Sequence, residues 1–367
     1  MTFDGKTVLV AGGAGFIGSN FIRHVRARYP RAKIVNFDKL TYSGNRDNLK
    51  DFAKDIKYTF VKGDVADAKA IARVFTKFKP DYVINFAAET HVDRSIHVGA
   101  LEFIRTNVEG VFQLLEAVKK FGATKYVQVS TDEVYGALPL KSDVLFTETT
   151  PFAPNVPYAS TKAGGDLLCR AYHATWGVPV VVTHCSNNYG PYQYPEKIIP
   201  FFVSRMIEGK TLPLYGDGKH VRDWIHVQDH AEALELCLLD GEPGAVYNIG
   251  ADQELDNHDI AHRILAHFGK DRSWIEYVSD RPGHDRRYAI DSSRIQKELG
   301  WKPRQNFEEA FVRTIVWYTE NVVWVDRVRR RTGVFNPHID LWRAHEKKPL
   351  KKSISAAKVS PTKRKKK

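Results

Sequence analysis

Residues Lys6–Gly18 read KTVLVAGGAGFIG: an apolar run rich in β-branched residues that breaks at Gly12 into a glycine-rich turn and continues, from about Phe16, into an apolar helix. Strand, glycine turn and helix in direct succession let backbone N–H groups approach a pyrophosphate. A side chain on Gly12, Gly15 or Gly18 would block that approach, and the helix N-terminus favours the negative charge. Further apolar runs of strand length follow at regular spacing: KIVNFDK from Lys33, KYTFVKGD from Lys57, DYVINFAAE from Asp81, KYVQVST from Lys125 and PVVVTHCSN from Pro179. Segments of helical periodicity separate them, for example Leu101, Ile104, Val108, Val111, Leu114, Leu115 and Val118. Nearly continuous apolar strands alternating with such helices predict a parallel sheet covered on both faces by right-handed crossovers.

The fold class expected is therefore α/β, with a Rossmann-like, doubly wound parallel sheet over residues 1–190, to which the chain returns around 222–256. After residue 190 the pattern changes to loops rich in Pro, Gly and aromatic residues (NNYGPYQYPEKIIP, LPLYGDGKHVRDW and SDRPGHDRRYAID), which predict a smaller lobe over 191–335 built largely of connections. A length of 367 residues, 43% of them hydrophobic, is enough for two such lobes. Ten of the positive charges lie after residue 346 with no acid among them, so the net charge of +12 falls to +2 for the rest. The basic character thus belongs to a tail, 346–367, whose composition predicts disorder. Its lysines suit a polyanion, with counterion release providing the affinity, and a solvated extension is the alternative. Three cysteines, Cys169, Cys185 and Cys237, show neither a disulfide framework nor zinc spacing, and no apolar run approaches the ~20 residues of a membrane span. A cytoplasmic protein is expected.

Asp38 ends the second strand, where a carboxylate accepts hydrogen bonds from both adenine-ribose hydroxyls and repels a 2′-phosphate. The cofactor predicted is NAD, with Lys39 beside the acid, Asp64 at the end of the third strand placed to meet the adenine, Val65 packing next to it, and Phe16 and Ile17 opening the helix. Downstream, Val129–Gly136 reads VSTDEVYG, and Tyr158 and Lys162 form YxxxK behind Pro157, a natural first-turn residue. Residues four apart share a helix face, so the ammonium can favour the phenolate, as can an oxidised nicotinamide. Tyr158 then becomes a base for a hydroxyl.

The strings GGAGFIG, DKLTYSGN, AAETHVDRSI, STDEVYG, YASTKAGGD, CSNNYGPYQYPEKIIP, LYGDGKHVRDWIHVQDH and RPGHDRRYAID cover roughly residues 5 to 300. Through them the chain resembles the extended short-chain dehydrogenases/reductases and, within them, the dTDP-glucose 4,6-dehydratase family. Departures are mild: Thr90 and Thr161 stand where serine is usual, and Gly164 and Gly165 weaken a helix by about 1 kcal/mol each relative to Ala while allowing close packing. The tail is outside the family pattern.

The resemblance implies a lyase that forms a 4-keto-6-deoxy sugar nucleotide from dTDP-glucose or UDP-glucose. Tyr158, Lys162 and Thr131 would serve oxidation at carbon 4, Glu133 would remove the carbon 5 proton, and Asp132 would protonate the departing 6-hydroxyl. It also implies that Ala87 and Ala88 line the NAD site. Thr90, His91 and Asn187 would contact the sugar, Lys197, Arg222 and Arg281 the diphosphate, and Tyr215, His284 and Asn257 the base or ribose. His220, His226 and His230, with Asp223 and Asp229, suggest a metal, but they fall in a substrate-binding string and the reaction requires none, so no metal is expected. The helices near 101–120 and 158–176 would pair in a homodimer, although their apolar stripes would serve equally to cover the sheet. An NAD-dependent nucleotide-sugar 4-epimerase or decarboxylase shares the NAD lobe, Tyr158 and Lys162, with Asp132 and Glu133 arguing against it, and a catalytically silent NAD-binding sensor is the more distant alternative.

Overall fold

The computed structural model describes residues 1–332; the basic tail, and the last three residues assigned above to the second lobe, lie outside the described residues. Among the described residues twelve strands form in chain order. The first six are β1 (Thr7–Ala11), β2 (Lys33–Asp38), β3 (Tyr58–Lys62), β4 (Tyr82–Asn85), β5 (Lys125–Thr131) and β6 (Val180–Cys185). They are followed by β7 (Asn187–Tyr189), β8 (Leu212–Tyr215), β9 (Val221–His226), β10 (Val246–Ile249), β11 (Glu254–Asp256) and β12 (Ile275–Val278). Seven make one parallel sheet in the order β10-β6-β5-β4-β1-β2-β3. Every residue of β4, β5 and β6 is buried, as expected of strands covered on both faces. The period-2 alternation sends Val8 and Val10 into one apolar layer and Leu9 and Ala11 into the other. The order reverses between β1 and β4, so the crevice at the carboxyl ends of these strands is where an α/β sheet accepts a ligand.

The chain re-enters this sheet through β10 after the helix Val227–Leu239, which packs on Phe16–Arg28. Buried Glu235 joins the two helices by accepting from the Tyr29 hydroxyl and pairing with His24, while Arg28 Nε lies 3.2 Å from the same carboxylate. The second lobe has its own core, rich in aromatic residues such as Tyr189, Phe202, Trp224, Phe311 and Tyr318. It carries two small sheets, β11-β9-β7 and β12-β8.

The apolar stripe from Leu101 to Val118 is helical, but a π-turn over Arg105–Glu109 divides it into Leu101–Ile104 and Gly110–Phe121. At that turn Asn107 reaches inward. Its Oδ1 accepts from Glu89 N at 2.9 Å, and its Nδ2 donates to Glu89 O at 3.0 Å and to Thr161 Oγ1 at 2.9 Å. Such bulges accompany functional sites, and this one fixes the segment leaving β4. Among the described residues no helix is long and apolar enough to cross a membrane.

Candidate active site

At the carboxyl end of β1, Gly12 takes a positive φ of 75°, and a Cβ on it would collide with the backbone of Ala87. One on Gly18 would lie 2.6 Å from Gly12 O. Gly12 and Gly18 are therefore closed to side chains by the protein's own backbone, a reason additional to the pyrophosphate approach that the sequence suggests. Beside it a pocket is lined by Gly15, Asp38, Lys39, Asp64, Val65 and Ala87, with Ala88 at its margin. Asp38 accepts from Ala14 N at 2.9 Å and Leu40 N at 2.7 Å. Burial raises its carboxyl, and these two N–H groups and the Arg331 charge oppose the rise. Burial also works to raise Asp64, but Lys39 at 2.8 Å, the Ala66 N–H and Arg105 outweigh it and hold that carboxyl low. Lys39 thus spends its charge on Asp64 and leaves the Asp38 edge to a neutral partner.

The glycine turn also opens, through Phe16, Ile17 and Gly18, onto a cleft of about 1130 Å³ that contains Thr131, Asp132, Glu133, Tyr158 and Lys162. Elements far apart in sequence meet here because β5 and the helix Pro157–Trp176 pack together. Thr131 ends β5 and caps the short 3-10 turn Asp132–Tyr135, its Oγ1 accepting from Glu133 N at 3.3 Å. Lys162, one turn after Tyr158, donates from Nζ to Val129 O at 2.7 Å. Burial lowers its pKa and Asp166 opposes this. Burial, followed by the Glu133 charge, pushes the Tyr158 phenol well up, and a hydrogen bond with Thr131 acts the other way.

The two carboxyls are distinguished by their neighbours. Burial, Glu133 and Asp223 all push Asp132 well above the ordinary carboxylate range, against Arg222 and a hydrogen bond from Thr131. Burial also raises Glu133, but three cations, Arg281, Lys197 and Arg222, oppose it. Asp132 Oδ2 and Glu133 Oε2 are buried with no hydrogen-bond partner among the described residues. Both carboxyls are thus raised by burial, with Glu133 facing more opposing cations than Asp132.

Beneath this pair runs a buried polar chain that the sequence did not reveal. Ser130 Oγ donates to Asp166 Oδ2 at 2.5 Å, and His184 Nε2 lies 3.3 Å from the same oxygen. His184 Nδ1 is 2.6 Å from the Tyr135 hydroxyl, which donates to Asn248 Oδ1 at 2.9 Å. It ties the acid-bearing turn to β6, β10 and the helix that carries Lys162.

A second cavity of about 940 Å³ adjoins the cleft through Glu133, Asn187, Glu196 and Lys197. His91, Tyr215, Arg222, Asn257, Arg281 and His284 also line it, and Thr90 lies in the cleft. All nine residues expected on the substrate side are therefore brought to one continuous space. Lys197 Nζ donates to Thr90 O at 3.1 Å, Arg222 stacks 4.2 Å over the Tyr288 ring, and Arg281 lies 3.7 Å from Asp93. Glu196 was missed. Burial raises it to about 7, it lies 3.4 Å from His91 Nε2, and its only sequence signal is a single acid within an aromatic loop.

The histidines weighed as a metal set are dispersed: His230 Nδ1 pairs with Asn188 Oδ1 at 2.8 Å, and His226 caps a helix by accepting from Gln228 N at 3.3 Å. A different trio, His220, Asp280 and His284, has its donor atoms within 4.8 Å of one another. The two imidazoles, however, stack at 3.6 Å with planes 13° apart, so their in-plane lone pairs run side by side and do not converge on one ion. Asp280 pairs with both rings, and Arg286 already sets a cation 3.4 Å from His220 Nε2.

Comparison with known proteins agrees with this geometry. The family model described as GDP-mannose 4,6 dehydratase matches residues 9–314. The dTDP-glucose 4,6-dehydratase 1 of Escherichia coli K12 is 46% identical over 356 residues, covering 91% of this chain and 98% of its own. The crystal structure of dTDP-glucose 4,6-dehydratase from Bacillus anthracis in complex with NAD superposes with a TM-score of 0.83 at 47% identity, covering 88% of this chain and 99% of that one. The NAD complex of the UDP-glucose 4-epimerase from Thermus thermophilus reaches a TM-score of 0.78 at 30% identity, covering 85% of this chain and 99% of that one. With the fold, the differentiated acid pair and these matches all pointing the same way, the chain belongs to the dTDP-glucose 4,6-dehydratase family.

Proposed function

We propose that the protein converts dTDP-glucose to the 4-keto-6-deoxy sugar nucleotide and water as an NAD-dependent hydro-lyase. The glycine turn that admits no Cβ and the buried Asp38 carboxyl fit NAD, which when bound accepts a hydride from carbon 4 and later returns one to carbon 6. Tyr158 takes the proton of the 4-hydroxyl, Thr131 hydrogen-bonds that oxygen, and Lys162 lends its positive charge to the phenolate. The resulting ketone acidifies carbon 5. Glu133 removes the carbon 5 proton, Asp132, in its acid form, gives its proton to the departing 6-hydroxyl, and a proton exchanged with solvent returns from Glu133 to carbon 5 as carbon 6 is reduced. Arg222, Arg281 and Lys197 bind the diphosphate, and the same charges oppose the rise that burial imposes on Glu133.

The observation that carries the reading is the unlike surroundings of Asp132 and Glu133, because oxidation alone has no use for an acid and a base side by side. Incubation with dTDP-glucose or UDP-glucose in deuterated water tests it. The expected product is a 6-deoxy-4-keto sugar with deuterium at carbon 5, formed faster from dTDP-glucose. An epimerised sugar with no water lost would overturn the reading, and turnover of UDP-glucose alone would overturn the choice of nucleotide.

A homodimer is proposed through the helical segments 101–121 and 157–176. Leu101, Ile104, Leu167 and Trp176, all on these helices, are at least half exposed, which supports a shared apolar face. Elution as a monomer in gel filtration would refute it.

A further inference from the structure

The helix Val322–Thr332 leaves the second lobe and ends against a loop of the first, Thr41–Asn48. Trp324 Nε1 donates to Asn48 Oδ1 at 2.9 Å in a buried contact, and Asn48 Nδ2 donates to Ala14 O, inside the glycine turn, at 3.0 Å. In the last turn of the helix, the Arg331 guanidinium donates to the carbonyl oxygens of Thr41 at 3.2 Å, Tyr42 at 3.1 Å and Gly44. Thr41, Ser43 and Gly44 line the pocket of Asp38, and Gly44 lies so close that a Cβ on it would be 2.8 Å from Asp38 Oδ1. On its other side the loop sends the Tyr42 hydroxyl to Glu196 Oε1 at 3.3 Å, and Arg94 stacks 4.3 Å over the Tyr42 ring.

We propose that this helix is a latch that holds the Thr41–Asn48 loop closed over the adenosine half of NAD, with Arg331 as its positioning residue. The inference rests on the NAD-dependent reading above. Its functional logic is that the hydride removed from carbon 4 must stay in the site until it is returned to carbon 6, so premature escape of the reduced cofactor would end the cycle at the ketone. All three contacts converge on one terminal nitrogen of Arg331, Nη2, so a single positively charged group at the end of the helix gathers the carbonyls of Thr41, Tyr42 and Gly44. Trp324 provides the second point, carried through Asn48 to the turn that cradles the pyrophosphate.

The test uses the full chain and three variants, Arg331→Ala, Arg331→Lys and Trp324→Phe. The rate of NADH release is measured by stopped-flow fluorescence, chasing with excess NAD and without sugar nucleotide. Arg331→Ala is expected to release NADH about tenfold faster or more, since it loses charge-assisted bonds to the loop, with Lys intermediate and Trp324→Phe faster than the parent. Variants should also purify with less bound NAD and, in single turnover, leak free NADH with unreduced 4-ketone. Circular dichroism melting checks that each variant is folded. Release within twofold of the parent in both Arg331→Ala and Trp324→Phe would overturn the latch. A parent chain that turns over sugar nucleotide yet behaves this way refutes the latch alone, whereas a parent that takes up no NADH refutes the cofactor reading and the latch with it.

Discussion

Glu133→Gln separates the two halves of the proposed reaction. The substitution keeps the shape of the side chain and removes its charge; the backbone N–H that Thr131 caps is untouched. Glu133 Oε2 has no hydrogen-bond partner among the described residues, so no structural bond is broken. Loss of a general base costs typically 10²–10⁴ in rate, which at about 1.4 kcal/mol per factor of ten is roughly 3–5 kcal/mol on the elimination step. The oxidation step should move the other way. After burial, the Glu133 charge is the largest influence holding the Tyr158 phenol high, and a neutral amide relieves it. NADH, followed at 340 nm after rapid mixing with dTDP-glucose, should therefore form at the parental rate or faster and persist, while deuterium entry at carbon 5 and water loss fall a hundredfold or more. If NADH formation fell as far as elimination, Glu133 would be serving the first step, and the assignment of the acid pair would be wrong.

Tyr158→Phe should stall earlier, with no NADH transient and at least a hundredfold loss of turnover, because no other hydroxyl is one helical turn from Lys162 on that face. Glu196 gives a pH dependence of stability. Its carboxyl rises from 4.5 to about 7 in the folded protein through burial. Between these values the folded state holds a proton that the unfolded chain has lost, so stability falls as pH rises, by about 3 kcal/mol for this group. Glu196→Gln should flatten the decline in urea-denaturation stability between pH 5 and pH 8; an unchanged slope would refute the burial argument. The adjacent glycines of the Tyr158 helix should differ. An alanine at Gly165 would put Cβ 2.6 Å from Asn107 O, costing about 1–3 kcal/mol by overpacking, whereas at Gly164 it would meet only Val108 Cγ2 at 3.3 Å and should be neutral or stabilise by up to ~1 kcal/mol. Urea midpoints of the two variants check this order.

The first sheet was legible because strands buried on both faces leave uninterrupted apolar runs, and the glycine turn because its geometry tolerates no substitute. The second lobe was legible only as loops. Its strands Asn187–Tyr189 and Glu254–Asp256 are three residues long and polar, too short to show a period of two. The π-turn at Arg105–Glu109 left no mark in the apolar spacing, yet it separates two faces: Val111, Leu114, Leu115 and Val118 after it are buried in the core, whereas Leu101 and Ile104 before it are exposed. The chain from Ser130 through Asp166 and His184 to Tyr135 was invisible for a different reason. It depends on the β5–β6 register that sets Ser130 opposite His184, and register is a property of pairs of strands that one strand's sequence does not carry. The helical spacing of His226 and His230 carries no shared site: His226 is the cap residue, its ring turned to the Gln228 N–H, while His230 is buried against Asn188.

The late return of the chain to its first sheet sets a schedule for synthesis. When residue 190 has left the ribosome, β1 to β6 exist, but β10 and the helix Val227–Leu239 do not. Phe21, Ile22 and Val25 then have no cover from that helix, and His24 and Tyr29 have no Glu235. The edge that waits for β10 at that moment is β6, Val180–Cys185, a strand with no exposed residue in the finished fold. An apolar, unpaired edge is what neighbouring nascent chains can join. Translational pausing between residues 190 and 250 would therefore raise aggregation of this protein.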